Sequence, residues 1–457
     1  MTPASEQLSV ARLRELLEHE DDAGLRAFLD EVPHASDIAD LLEELDEEDR
    51  AHAVRVLAGD PALAAEALAE MDPDEHPEDS LAGLENEQIA AVVAEMSDDD
   101  AADLIGEMDP EDQARVLAAL PVEDAGEIRD LMRYPEDSAG GIMTTELVAI
   151  PVGLTAAEAT EEVRRQAQEH EMEELYVVFV VDRRRVLQGF LPLARLVSAS
   201  PAAQVTELLE EVPATVLPET DREEVARVVS RYNLTVVAVV DGAGRLLGGV
   251  TFDDVLDVME EENTRDILGL AGTSQGEELR GGWGEAVRSR LPWLFVNLVT
   301  AFAAASVVYA FEDVVSKVAL LAVCMPVIAG MGGNTGTQAL AVTVRRLALT
   351  VGTRRPWGVL VKELLVGATN GLATGIVASA AAYGLSIATK GDPRLALVVL
   401  LAMWGNLAIG GFAGALVPTV LERIGVDPAV ASSIFVTTFT DMFGFFLLLG
   451  LASQMLL

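Results

Sequence analysis

The sequence has 457 residues, with 75 acidic and 31 basic side chains and a formal net charge of −44 at pH 7. This charge excludes nucleic-acid binding, because neutralising phosphates requires a basic surface. Half of the residues are nevertheless hydrophobic, which is too apolar for an ordinary soluble acidic protein. The single cysteine excludes an internal disulfide bond.

The charge is divided unevenly along the chain. Residues 1–283 hold 67 acidic and 20 basic side chains, whereas residues 284–457 hold 8 and 11. This asymmetry predicts a strongly anionic water-soluble region followed by a membrane region. The segment Met1–Glu6 has neither the basic nor the apolar part of a signal peptide, so we expect the acidic region to stay in the cytoplasm.

The region from about residue 6 to 133 is predicted to be a superhelix of short helices. Its apolar residues follow helical spacing, and acidic clusters typical of helix starts interrupt them. Apolar anchors recur every twelve residues, at Leu84, Met96, Met108, Leu120 and Met132. We expect one short helix per repeat, because a single repeat cannot bury its own apolar face. The carboxylates at the helix starts fit capping as well as ion binding.

A duplicated α+β module is predicted over residues 138–259. Two apolar runs, which end in Asp182 and Asp241, are typical of buried strands, and their offset of 59 residues is shared by Gly189 and Gly248. A helical segment precedes each run, so the whole module occurs twice.

These units resemble a pair of CBS regulatory modules. The segment Gly248–Asp254 is similar to the family motif G-x-x-T-x-x-D, whose last Asp contacts the ribose of a bound nucleotide. The resemblance implies that Thr251 and Asp254 hold ATP, whereas residues 189–195 of the first unit lack the Thr and the Asp. The alternative at the second unit is a purely structural turn between strand and helix.

An acidic helix is predicted to continue from the second unit towards the membrane region. Asp254, Asp257 and Glu261 are spaced to lie on one helix face, and nothing nearby in the sequence relieves their repulsion. A plain solvated surface is the alternative to an ion-binding face.

Five apolar segments reach the ~20 residues that a bilayer-spanning helix needs. They are 291–311, 318–343, 358–388, 395–421 and 429–455. Arginines lie before the first segment and between the second and third, whereas acidic or mixed loops lie on the other side. The positive-inside rule therefore predicts a cytoplasmic N-terminus and a C-terminus outside the cell.

The second segment contains a glycine-rich polar stretch, 326–338. Its glycines, Gly333 among them, allow close helix packing, and Asn334 and Gln338 are four residues apart and so share a helix face. A helix-packing seam and a pore lining are both consistent with this pattern.

The last segment contains Asp441, the only carboxylate deep within the five segments. A membrane acid is destabilising unless it faces water, an ion or a partner, and no basic residue lies at comparable depth. Thr437 and Ser433 extend a polar stripe along the same face. Such oxygen ligands suit Mg²⁺ or Ca²⁺, whereas Zn²⁺ would require Cys or His. The alternative is a protonated structural Asp.

The chain as a whole resembles the MgtE family of magnesium channels. The resemblance rests on the motif Gly332–Gln338, on Asp441 and on the domain order, which together cover nearly all of the sequence. It implies a multidomain fold with an all-α superhelical N-domain, tandem α+β CBS modules and a transmembrane domain of five helices. The implied bounds are 1–133 for the N-domain, 134–200 and 201–263 for the CBS modules, 264–287 for a connecting helix and 288–457 for the pore domain.

The resemblance also implies a Mg²⁺-selective channel of the plasma membrane that acts as a homodimer and is gated by intracellular Mg²⁺. Asp441 of both subunits would bind the permeating ion on the two-fold axis. The other residues expected along the ion pathway are Thr437, Ser433, Asn334, Gly333 and Gln338.

Two sets of carboxylates are expected to bind Mg²⁺ between the soluble domains and so hold the pore closed. The junction carboxylates are Asp254, Asp257, Glu262 and Asp266, and the repeat carboxylates are Asp98, Asp99 and Asp100. Arg265 stands where such an acidic run usually has another carboxylate, which would weaken the site.

Two other functions are compatible with these features. One is an ion-coupled carrier of divalent cations, although carriers usually show inverted repeats and several intramembrane ionisable groups. Here Asp441 alone is deep, and Glu363 lies near the cytoplasmic end of the third segment. The other is a membrane-anchored CBS sensor, in which Asp441 would have no role. An enzyme is not expected, because the sequence shows no catalytic constellation and no P-loop.

Overall fold

A computed structural model describes residues 3–169, 175, 177–271, 283–349, 356–424 and 428–457. The chain forms two compact units, Met1–Glu260 and Glu261–Leu457. They are called the soluble unit and the membrane unit below.

The first part of the soluble unit is built from short helices around one apolar core. These are α1 Pro3–Glu18, α2 Asp22–Leu29, α3 Ala35–Glu43, α4 Glu47–Leu57, α5 Pro61–Ala69, α6 Asn86–Val93, α7 Asp98–Glu107, α8 Pro110–Ala119 and α9 Asp124–Leu131, with 3₁₀ helices at Pro73–Glu75 and Pro77–Leu81. Helices α6 to α9 each lie between two of the apolar anchors, which confirms one short helix per repeat. Met96 and Leu120 are buried because they close the gaps between successive helices.

The two α+β modules follow, each with a three-stranded sheet. The elements are β1 Ala149–Pro151, α10 Ala156–Glu169, β2 Val177–Val181, β3 Leu187–Pro192, α11 Leu193–Ser198, α12 Val205–Leu208, β4 Thr215–Val216, α13 Arg222–Tyr232, β5 Val236–Val240, β6 Leu246–Thr251 and α14 Phe252–Ala271. The sheet orders are β1-β2-β3 and β4-β5-β6, each with a parallel pair and then an antiparallel pair. Strands β2 and β5, like β3 and β6, start 59 residues apart, so the predicted duplication is confirmed.

The repeated glycines of the two modules have the same structural role. A Cβ atom on Gly248 would lie 2.6 Å from the carbonyl oxygen of Thr144, and one on Gly189 would lie 2.5 Å from that of Glu210. In both places an outside segment pairs with the third strand, and Thr144 and Gly249 exchange two backbone hydrogen bonds, of 2.9 and 3.0 Å. This pairing fixes the segment around Thr144 against the second module.

The membrane unit contains five helices that are long and apolar enough to cross a bilayer, as the sequence predicts. Its described helices are α15 Trp283–Ala310, α16 Glu312–Lys317, α17 Leu320–Leu349, α18 Pro356–Ala388, α19 Leu395–Arg423 and α20 Pro428–Met455. Helix α19 packs against α17, α18 and α20 and carries many of the buried residues of this unit. It therefore forms the centre of the bundle.

Candidate functional site

An acidic cluster in the soluble unit begins at the first turn of α7. Ser97 caps this helix: its Oγ donates to Asp100 Oδ2 (2.6 Å) and accepts from the Asp100 backbone N–H (3.4 Å). The cap places all three repeat carboxylates at the helix start, where the helix dipole favours negative charge. Asp98 and Asp99 are nevertheless buried.

The segment after α9 supplies a second part of the cluster. Because Thr144 is paired with β6, its neighbour Thr145 is held against α7 and donates a hydrogen bond from Oγ1 to Asp98 Oδ2. Glu146 follows and lies close to the carboxylates of Asp98 and Asp99. Sequence reasoning missed Glu146, since nothing in the local pattern shows that this loop returns to α7.

Helix α14 supplies the third part of the cluster. Asp254 accepts hydrogen bonds at Oδ2 from the backbone N–H (3.2 Å) and the hydroxyl of Thr251. Its carboxylate also lies close to those of Asp99 and Asp100. The structure therefore brings the repeat carboxylates and Asp254 together, although about 150 residues separate them in the chain.

The other junction carboxylates differ from Asp254. Asp257 is exposed, and Glu262 forms an ion pair with Arg265, whose Nη1 lies 2.7 Å from Glu262 Oε1. The side chain of Asp266 lies outside the described residues. Arg265 thus neutralises a neighbouring carboxylate.

Burial and mutual repulsion perturb the ionisation of the cluster. Burial raises the pKa values of Asp99 and Asp254, and each of these carboxylates has a further acidic neighbour that raises its pKa more. Burial, followed by the charge of Asp98, raises the pKa of Glu146 to about 7. Oδ1 of Asp99 is buried without a hydrogen-bond partner in the described structure. A bound cation would offset this burial and repulsion, because it would stabilise the charged forms of the carboxylates.

The geometry of the cluster limits how a metal could bind. Within the described ranges, no group of three or more Asp, Glu, His or Cys side chains is arranged to hold a metal ion. Mg²⁺ usually keeps several of its waters, so carboxylates that contact it through water do not need to converge closely. The cluster fits a hydrated hard cation better than a directly ligated one.

The glycine-rich stretch of α17 has two different faces. A Cβ atom on Gly336 would lie 2.5 Å from Val436 of α20, and one on Gly332 would meet the side-chain amide of Asn406. These two glycines form a packing seam with α19 and α20. Asn334 and Gln338 instead lie on the exposed face of the single chain. Helix packing therefore involves the glycine face of the motif, and the two amides lie outside this seam.

Asp441 lies half-buried on α20, one turn beyond Thr437. Within the described part of the chain its carboxylate makes no hydrogen bond or ion pair. A Cβ atom on Gly333 would lie 3.8 Å from Thr437 Cγ2. The Thr437 hydroxyl donates to the carbonyl oxygen of Ser433 (2.7 Å), which leaves its lone pairs free to accept. Gly333 and the polar stripe of α20 are thus adjacent.

Asn406 of α19 is a residue that sequence reasoning missed. It is fully buried, and its Nδ2 donates to the carbonyl oxygen of Ile328 (2.9 Å). Its side chain fills the space left by Gly332 and Gly444, which lie on two other helices. Asn406 therefore fixes α17 and α20 against each other close to Gly333 and Asp441.

Comparisons with known proteins match every part of the chain. The family of MgtE intracellular N domains matches residues 33–137, the CBS domain family matches 205–261, and the MgtE family of divalent cation transporters matches 325–451. The chain is 36% identical over 456 residues to a magnesium transporter MgtE of Thermus thermophilus, with 99% of both chains covered. It is 35% identical over 332 residues to a magnesium transporter MgtE of Enterococcus faecalis, with 72% of both covered.

A solved structure is similar to the soluble unit. It is the crystal structure of the cytosolic domain of the Mg²⁺ channel MgtE in complex with ATP, with 38% sequence identity and a TM-score of 0.50. The match covers 55% of this chain and 99% of the solved one. The soluble part of such a chain can therefore be studied as a separate fragment.

The acidic cluster predicts a pH dependence of stability in the absence of divalent cations. Folding raises the pKa values of Asp99, Asp254 and Glu146 above their usual values near 4. The contribution of these groups to the stability of fragment 1–260 should therefore be highest below about pH 4 and fall as the pH rises to about 7. The reason is that, between these pH values, the folded state retains protons that the unfolded state has lost. Urea unfolding in EDTA measures this slope.

The matched variants are Glu146→Gln and, as an exposed control, Glu207→Gln. Glu146→Gln should reduce the pH-dependent loss of stability, and Glu207→Gln should not. Equal slopes in the parent and the Glu146→Gln fragment would contradict a strained cluster at this position.

The packing of α17 predicts different effects for two of its glycines. Gly332→Ala should destabilise the detergent-solubilised protein by about 1–3 kcal/mol, because the methyl group competes with the amide of Asn406. Gly330→Ala should change stability by less than about 0.5 kcal/mol, since no atom lies within 4 Å of its Cβ position. Thermal unfolding measures the stabilities of the two variants. Equal stabilities would exclude the packing seam of α17 with α19 and α20.

Proposed function

The chain belongs to the MgtE family of magnesium transporters, and on this premise we propose that it is a Mg²⁺ channel that closes when Mg²⁺ binds to its acidic soluble unit. The observation that carries the proposal is Asp441, a membrane carboxylate without a partner in the described residues. A purely structural acid would be protonated or paired, whereas an ion-binding acid must remain accessible.

The pore is proposed to form between two copies of the chain. The exposed face of α17 carries Asn334, Thr337 and Gln338 at membrane depth, where contact with lipid would leave polar groups without partners. A second copy placed over α17 and α20 would cover this face and bring two Asp441 carboxylates together. The amides, the hydroxyls and the two carboxylates would then line one oxygen-rich pathway.

The chemistry of this lining favours Mg²⁺. Hard cations prefer carboxylate, hydroxyl and amide oxygens. Mg²⁺ gives up its waters reluctantly, so two Asp441 carboxylates around a hydrated ion are sufficient to attract it. An ion-coupled carrier is less favoured, because Asp441 is the only carboxylate deep within the five spans and Glu363 lies near the end of one.

The sensor is proposed to be the acidic cluster together with the junction carboxylates. Mg²⁺ would bind the form in which α7, Glu146 and Asp254 lie together more tightly than any open form, because it replaces mutual repulsion by attraction. To shift the ratio of closed to open forms from roughly 1:99 to 99:1, Mg²⁺ must favour the closed form by about 5.5 kcal/mol, which several weak sites can supply together. The pair Glu262–Arg265 would contribute least.

Orientation follows from the charges that flank the spans. Arg345 and Arg346 end α17, and Arg354 and Arg355 follow in the next loop. We assign this side to the cytoplasm, together with the soluble unit, and the C-terminus to the outside. An internal Mg²⁺ sensor requires this arrangement.

ATP is a second proposed ligand. The solved cytosolic domain of a related channel contains ATP, and Thr251 and Asp254 occupy the positions of the nucleotide motif. In this chain Thr251 binds Asp254 directly, so Asp254 would be shared between a nucleotide and the acidic cluster. Nucleotide and Mg²⁺ binding would then influence each other.

The pore assignment predicts the effect of one conservative substitution. Asp441→Asn should reduce Mg²⁺ influx into proteoliposomes to the level of protein-free liposomes, because an amide cannot compensate the charge of the ion. Glu422→Gln, at the exposed end of α19, makes the same chemical change away from the pathway and should leave influx unchanged. Normal influx through a correctly inserted Asp441→Asn protein would refute the pore.

The sensor assignment predicts a channel that ignores internal Mg²⁺. Neutralising all four junction carboxylates to Asn or Gln should keep the pore open at Mg²⁺ concentrations that close the parent, because the ion loses its preference for the closed form. Single-channel recording during a Mg²⁺ titration on the soluble-unit side tests this directly. The control neutralises four exposed carboxylates elsewhere in the soluble unit, Glu31, Glu207, Glu211 and Glu219.

Closure of the fourfold junction variant over the same Mg²⁺ range as the control would exclude a sensor at this cluster. Loss of conduction altogether would point to a structural role instead. An open channel with unchanged ion preference would show two distinct sites that are coupled, as allostery requires.

A further inference from the structure

A pocket of about 240 Å³ lies between α17, α18 and α19 in the membrane unit. Its lining combines apolar residues with several polar side chains. The residues that the argument uses are Thr335 and Gln338 from α17, Glu363 and Asn370 from α18, and Gly411 from α19. The pocket starts about 10 Å into α18, because Glu363 is seven residues from Pro356.

Glu363 is the one buried charged side chain among the described residues of the membrane unit, at 5% exposure. Its Oε1 lies 3.0 Å from the Nζ of Lys362. Adjacent residues do not face each other on a helix, so Lys362 reaches Glu363 only by folding back along the surface. The Lys362 side chain is 58% exposed. The ammonium group can therefore leave the carboxylate for water without unfolding the helix.

The pocket keeps its shape because the helix backbones behind it are in contact. A Cβ atom on Gly411 would collide with the carbonyl oxygen of Glu363. The backbone of α18 is thus fixed against α19 at the residue that carries the carboxylate. The backbone that carries Glu363 is therefore closely packed at this point.

The remaining polar groups of the pocket can accept hydrogen bonds or bind a cation. The Thr335 hydroxyl donates to the carbonyl oxygen of Met331 (3.0 Å), which leaves its lone pairs available. The side-chain amides of Gln338 and Asn370 have no hydrogen-bond partner within the described residues. One carboxylate, one hydroxyl and two amide oxygens form a ligand set for a hard cation.

We propose that this pocket binds a hydrated divalent cation beside Glu363, as a second membrane site that is separate from Asp441. Lys362 occupies the carboxylate when the site lacks an ion and leaves when the ion arrives. The volume has room for several water molecules, as a hydrated ion requires. The identification of the ion as Mg²⁺ rests on the proposed function.

The position of Gln338 connects this site to the proposed pathway. Gln338 lines the pocket and lies on the same exposed face of α17 as Asn334. An ion in the pocket would therefore lie beside the pore and could enter it past one side chain. The pocket is on the side of the membrane unit where α18 begins. The proposed orientation assigns this side to the cytoplasm.

The test uses thiol protection in the full-length protein in liposomes. Cys324 is the only cysteine, so Cys324→Ala provides a background for single cysteines. The test position is Val342→Cys, which lies in the pocket, and the control is Val327→Cys, which lies on the same helix outside the pocket. Both native valines are 50% exposed. A neutral water-soluble maleimide is the probe, since its reaction does not respond directly to a nearby charge.

Mg²⁺ at about ten times its dissociation constant should slow the labelling of Val342→Cys by about tenfold, as mass action at one site requires. Glu363→Gln should abolish this protection. Lys362→Met should lower the Mg²⁺ concentration that gives half protection, because the competing ammonium is gone. Labelling of Val327→Cys should not depend on Glu363.

Several outcomes would overturn the site. The first is that Mg²⁺ still protects Val342→Cys when Glu363→Gln is also present. The second is that Lys362→Met leaves the half-protecting Mg²⁺ concentration unchanged. The third is that the pocket cysteine reacts in detergent but never in liposomes, which would indicate that lipid fills the pocket. Mg²⁺ influx with no protection would refute this inference alone. If Mg²⁺ protects Val342→Cys but the parent protein shows no Mg²⁺ influx, the proposed channel is refuted and the pocket site is still supported.

Discussion

A carboxylate that is withdrawn from water must gain a proton, a cation or hydrogen-bond donors, because burial of an uncompensated charge costs several kcal/mol. This chain meets the requirement in three ways. In the cluster around Asp99, burial and repulsion between carboxylates raise the pKa values, which favours the protonated forms. Glu363 is compensated by Lys362. Asp441 has neither in the described structure, and the proposed channel would give it a permeating ion as its partner.

The acidic cluster shows how ordinary helix capping can prepare an ion site. Carboxylates are favourable at helix starts, so Asp98 to Asp100 are stabilised locally in α7. The pairing of Thr144 with β6 and the start of α14 then bring Glu146 and Asp254 to the same place. Repulsion between Asp99 and Asp100 is already present within α7, and repulsion between Asp99 and Asp254 is added when α7 and α14 meet. A cation that bridges them therefore acts on the arrangement of the elements and not on their individual folding.

Sequence patterns predicted those parts of the fold that depend on nearby residues. Five long apolar runs and an offset of 59 residues required no tertiary information, and the structure confirms them. The roles of Glu146 and Asn406 could not be predicted in this way. Thr145 contacts Asp98 across 47 residues, and Asn406 contacts Ile328 across 78. Neither contact leaves a local periodicity. Lys362 and Glu363 likewise resemble an ordinary surface pair until the packing of Gly411 shows that only the glutamate is buried.

The proposed gating requires a connection between the two units, and helix α14 contains residues of both. It spans Phe252–Ala271 and so carries Asp254 near its start and Leu270 near its end. Within the membrane unit, Leu270 packs against Leu340 and Val344 of α17. Helix α17 also carries Gly333 and the exposed amides. If the proposed coupling runs through α14, reciprocity requires that Mg²⁺ binding at Asp254 and changes in α17 influence each other.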